Sequence, residues 1–269
     1  MIRLVFALVL GCSLAARANA APLHLLVLSG GTTEADAKKA LGSFQRLQPV
    51  LEKGVTLAAG YPRVLESKTV PGLKPGFWIV ALGACRDAKP ALEAVKAAYP
   101  GAYARQLQDG AAAEACPALS RSAPAPLAEP LAVPGGAVSA AGVVEPEEDE
   151  RGTDTTSTRL HFALAAKDGT VEHVLSIWGD TVSRVGDGPA GWEYERCTAK
   201  ISREAAAFVV TRECRSERTG CEPGEKRIPR HYRETVRVAV KGGRVIESKP
   251  KVESVEADEC LPGASGEGD

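Results

Sequence analysis

The chain has 269 residues, with 33 Lys and Arg against 34 Asp and Glu, a formal net charge of −1 and 44% hydrophobic residues. Such an even balance, with no basic stripe, argues against a nucleic-acid partner. No apolar run approaches the roughly 20 residues that a membrane-spanning helix needs, so no transmembrane segment is expected in the mature chain.

Residues 1–20, MIRLVFALVLGCSLAARANA, place Arg3 ahead of the apolar run Leu4–Leu10 and end on the small-x-small triplet Ala18-Asn19-Ala20. That is the layout of a signal peptide, which predicts export to the periplasm or the exterior and a mature chain beginning at Ala21. Val9-Leu10-Gly11-Cys12 offers a second outcome, a lipoprotein anchored through Cys12. Beyond Cys12 the cysteines are Cys85, Cys116, Cys197, Cys214, Cys221 and Cys260. An even set in an exported chain predicts three disulfides.

Residues 21–118 alternate strand and helix signals. His24 to Ser29 is a short buried-strand run, broken by Gly30-Gly31. Thr33, with Asp36 three residues on, is an N-cap opening a helix through Lys53. Strands are predicted at Arg63–Thr69, Phe77–Leu82 and Ala102–Leu107, with a second Ala-rich helix after Gly83. The order is β-α-β-β-α-β, which predicts an α+β, ferredoxin-like unit with two helices backing a four-stranded sheet.

Residues 119–157 (SAPAPLAEPLAVPGGAVSAAG, then EPEEDERGTDTTST) are rich in Pro, Ala and Gly and then acidic, predicting a flexible, disordered linker. Residues 158–262 carry strand signals throughout. Lys167-Asp168-Gly169 and Lys241-Gly242-Gly243 mark hairpins, and Trp192–Ile201 with Ala205–Cys214 forms another pair. An antiparallel all-β domain is expected there, followed by a disordered tail at residues 263–269. Cys85 and Cys116 bracket the last strand of the first block and are expected to pair. Cys214 and Cys221 flank a short polar loop, which suggests Cys214–Cys221 and leaves Cys197–Cys260.

The stretch GYPRVLESKTVPGLKPGFWIVALGACRDAKPALEAVKAAYPGAYARQL, together with Leu28-Ser29-Gly30 and Ala81-Leu82-Gly83, resembles sporulation-related repeat (SPOR) domains over about residues 22–108. The resemblance implies an open sheet face that binds bacterial cell-wall glycan. Strand parity puts Trp78, Val80 and Leu82 towards the helices and leaves Phe77, Ile79 and Ala81, with Leu26 and Leu28, on the open face. Tyr61, Arg63, Ser67, Tyr103 and Arg105 are the residues there that can serve a sugar, beside Phe77 and Ile79.

Catalytic signatures are absent from the sequence. There is no G-x-S-x-G elbow, and Ser29-Gly30-Gly31-Thr32-Thr33 lacks a P-loop lysine and reads as a helix cap. A turn at Asp168-Gly169 pairs residue 164 with 173 and puts His161 and His173 on opposite faces. No metal or cofactor is expected. The leading expectation is a non-catalytic envelope protein that binds peptidoglycan glycan. One alternative is an assembly module docking a polypeptide on an apolar sheet face, and another is an enzyme in the β-rich block without a recognisable motif.

Overall fold

The computed structural model describes residues 21–108, 112–148, 154–188, 191–218 and 231–256. The expected signal peptide, Cys12, Cys221, Cys260 and the expected tail lie outside them. The apolar run at the start forms β1 (His24–Gly31), after which Thr33 caps α1 (Glu34–Leu51). A full capping box forms. The Asp36 N–H donates to Thr33 Oγ1 at 3.2 Å, and the Thr33 N–H donates to Asp36 Oδ2 at 3.0 Å. Next come β2 (Val55–Thr56), β3 (Arg63–Glu66), a 3-10 turn (Ser67–Thr69), β4 (Trp78–Cys85), α2 (Lys89–Ala98), β5 (Tyr103–Gln106) and β6 (Ala118–Leu119). The first sheet has the order β3-β4-β1-β5, antiparallel at every contact, while β2 pairs with β6.

The remainder is strand. β7 (Ala125–Val133), β8 (Gly136–Glu148), β9 (Asp154–Ala166) and β10 (Val171–Trp178) form a second sheet in the order β10-β9-β8-β7. The third sheet holds β11 (Thr181–Gly188), β12 (Gly191–Arg203), β13 (Ala207–Arg218), β14 (His231–Lys241), β15 (Arg244–Glu247) and β16 (Lys251–Glu256), with β14 pairing both β15 and β16.

These elements stack in layers. Leu26, Leu28, Val80 and Leu82 of the first sheet meet both helices in one core, and so do Ala141, Val143, Ala163 and Val171 of the second sheet. The helices are therefore sandwiched between two sheets. Polar ties cross the same boundary: Tyr99 Oη donates to Gly169 O at 2.7 Å, and the Val171 N–H donates to Ser43 Oγ at 2.9 Å. On its other face the second sheet packs Phe162, Leu160, Leu164 and Val138 against Phe208, Val210, Val236 and Val238 of the third. Small residues at Ala140 and Ala141 let β8 be buried on both sides.

The expected α+β class, with a ferredoxin-like unit, a linker and a separate all-β domain, is corrected. The described chain is mostly β, with two α-helices and three main sheets that share cores. Residues 119–157 are not a disordered linker over their described part, because they supply all of β7 and β8 and the start of β9. Pro126 and Pro130 sit on β7, the edge of its sheet, where a missing N–H breaks no inner ladder. Charge in the following stretch is paired as well: Lys53 meets Glu145 at 2.7 Å, and Arg159 reaches the same carboxylate at 3.6 Å.

Two further expectations change. Leu26 and Leu28 face the helices, while Leu25 and Val27 take the opposite face with Ile79 and Ala81. Cys85–Cys116 forms as expected, with Cα atoms 4.6 Å apart. The pairings Cys214–Cys221 and Cys197–Cys260 do not form, because Cys197 bonds Cys214 directly across β12 and β13. The two disulfides fit an exported protein, and no described helix is long and apolar enough to cross a membrane.

Candidate functional site on the outer face of the first sheet

The face of the first sheet away from the helices is only partly open. Leu25, Val27, Ile79 and Ala81 are covered by Val70 and Leu73, from the loop after β3, and by Leu107. That loop is fastened at its base. The Ser67 N–H donates to Phe77 O at 2.8 Å, and the Phe77 N–H donates to Ser67 Oγ at 3.0 Å. At its far end the Gln108 N–H reaches Pro71 O at 3.4 Å. Gly72 there has φ +94°, and a Cβ on it would lie 2.8 Å from the Gln108 nitrogen, so turn geometry and close approach both require glycine.

Between the loop and β5 lies a cleft of about 480 Å³. Val27 and Ile79 form its floor. Phe77 and Lys74 stand on the loop side, and Tyr103, Arg105 and Gln106 stand on the strand side. Register explains why the strand contributes these side chains: Val27 pairs with Tyr103 and Leu25 with Arg105, so both β5 residues share the outer face with the floor. Arg105 lies 5.0 Å from the centroid of the Tyr103 ring, a cation–π distance. Burial raises the Tyr103 phenol pKa, with Arg105 partly offsetting it, so the phenol keeps its proton at neutral pH and can donate.

Five of the seven expected ligand residues thus line one cleft: Ser67, Phe77, Ile79, Tyr103 and Arg105. Their roles differ. Ser67 is buried and its oxygen clamps the loop, and Ile79 is a floor residue at 5% exposure. Phe77 is 39% exposed, and Arg105 is open to solvent. Tyr61 and Arg63 form a separate pair, 5.1 Å from guanidinium carbon to ring centroid, and line no wall of the cleft. Lys74 and Gln106 were not foreseen. The turn PGLKPG announces a loop, but nothing in it tells that the loop folds back over the sheet.

Other polar groupings are occupied by structural bonds. Beside the Ser29–Thr32 turn, Asp36 belongs to the capping box, and Asp168 accepts from the Thr170 N–H at 2.9 Å. Glu195, Cys197 and Cys214 lie close together, but the sulfurs are bonded to each other and Tyr232 Oη donates to Glu195 at 2.7 Å. His161 and His173 pair with Ser176 and Leu164 respectively. Comparison of the chain with protein-family models, with curated proteins and with solved structures gave no match.

Proposed function

We propose that this chain is a non-catalytic, exported protein of the bacterial envelope that binds peptidoglycan glycan in the cleft between the Ser67–Phe77 loop and β5. The reading follows the SPOR resemblance for its ligand. What supports it most is the gathering of Phe77, Tyr103 and Arg105 around a concave apolar floor. Sugars present apolar ring faces and equatorial hydroxyls, which suit exposed aromatic surface flanked by donors. Placement on a sheet braced by helices keeps the surface preorganised, so little ordering entropy opposes binding.

A polypeptide docked on an apolar sheet face has less support. Ile79 and Val27 are covered by the chain's own loop, and Phe77 is the one large exposed hydrophobic residue of the cleft wall among the described residues.

Cosedimentation of the mature chain with purified sacculi tests the proposal. Retention of the native protein, reduced by Phe77→Ala and by Tyr103→Ala with near-UV circular dichroism unchanged, is the expected result. Absence of retention at low salt refutes it.

A further inference from the structure

We infer that the saccharide bound in the cleft carries a carboxylate, held by Lys74 and Arg105; this rests on the glycan-binding reading and names the chemistry of its ligand. The two cations stand on opposite walls, Lys74 on the loop and Arg105 on β5. Both are exposed, and among the described residues no ion pair engages either. Lys53, Arg86 and Arg212 meet carboxylates elsewhere in the molecule, whereas these two cations face each other across an apolar floor without one. The nearest acid along the loop, Glu66, is taken by Lys68 at 2.6 Å. Among the described residues no Asp or Glu lines the cleft.

Two unneutralised cations on either side of an apolar floor create a local positive potential that a neutral sugar does not use and an anionic one does. A planar guanidinium can meet a carboxylate through two parallel hydrogen bonds, while its stacking on Tyr103 fixes the direction of approach. The Tyr103 phenol and the Gln106 amide are left for ring hydroxyls. A chain of pyranoses with periodic carboxylates, whether uronate or lactyl ether, satisfies all of these groups. A neutral chain leaves the charges idle.

Calorimetric titration of the mature chain with three probes tests the inference: tetragalacturonate, chitotetraose and peptide-stripped cell-wall glycan strands. Tetragalacturonate binding would mark general uronate recognition, whereas binding of the stripped strands alone would mark the lactyl carboxylate; either supports the inference. In both cases chitotetraose should bind roughly tenfold more weakly, the worth of one charge-assisted hydrogen bond. Arg105→Gln and Lys74→Gln should each remove most of that preference. Arg63→Gln, on the same face but outside the cleft, should leave it intact. Equal affinity for the neutral and acidic probes overturns the carboxylate inference and leaves glycan binding standing. No binding by any saccharide overturns both.

Discussion

His161 provides the sharpest test of how the layers are packed. It sits on β9 between Ala141 and Ser176, is 4% exposed, and faces the side of the second sheet that meets the helices. Its Nδ1 lies 2.7 Å from Ser176 Oγ, while Nε2 is buried without a partner. Burial lowers its pKa to about 4; Glu145 opposes the shift, while Arg159 and Lys53 reinforce it. The unfolded chain takes up this proton near pH 6.5 and the folded one near pH 4. The contribution to stability is therefore whole above pH 6.5 and is lost as pH falls from there towards 4. A difference of 6.5 − 4 units amounts to about 3 kcal/mol. Urea unfolding of native protein and of His161→Leu at pH 7, 5 and 4, with disulfides intact, reads this directly. The native protein should lose about 3 kcal/mol more than the variant between pH 7 and 4. Parallel pH profiles would refute the burial of this imidazole, and with it the packing of the second sheet against the helices.

Three other outcomes follow from the packing. Non-reducing peptide mapping should join Cys85 to Cys116 and Cys197 to Cys214; replacing the first pair by Ser, which opens a sequence separation of 31 residues, should cost about 3–4 kcal/mol in chemical denaturation. Phe162→Ala removes a fully buried ring packed 5.5 Å from Phe208, and should lower stability by about 3–5 kcal/mol without altering glycan retention. Gly72→Val strains a left-handed turn against Gln108, so it should cost about 1–3 kcal/mol and weaken retention on sacculi by displacing the loop that carries Lys74 and Phe77.

Local chemistry was legible wherever it was also decisive. Thr33 and Asp36 form the cap that their spacing announces, and His173 meets Leu164 as expected, although through a register shift between Val171, which opposes Ala165, and His173. Cys85–Cys116 followed from the two cysteines bracketing one strand of the same sheet. Tertiary context overrode the rest. Residues 119–157 have the composition of a tether, yet Pro126 and Pro130 occupy an edge strand and the alanines of β8 fit a sheet buried on both faces. Leu26 and Leu28 changed sides because β1 is irregular at Val27 and Ser29, which simple alternation cannot anticipate. Cys197–Cys214 depended on the turn position: β12 and β13 close with Arg203 opposite Phe208, and that register sets the two cysteines face to face. A turn centred on Glu204 to Ala207, rather than nearer Ser202, would have found the pair. The cleft itself was half visible, since Tyr103 and Arg105 stood among the residues able to serve a sugar, while the fold-back of the Pro71–Gly76 loop rests on contacts distant in sequence.

Amide hydrogen exchange of the mature chain, with and without peptide-stripped glycan strands, reports where the ligand sits. Slowed exchange confined to residues 67–77 and 103–106 is the predicted result. Protection on the third sheet instead, or no change anywhere at saturating glycan, contradicts a glycan site in this cleft.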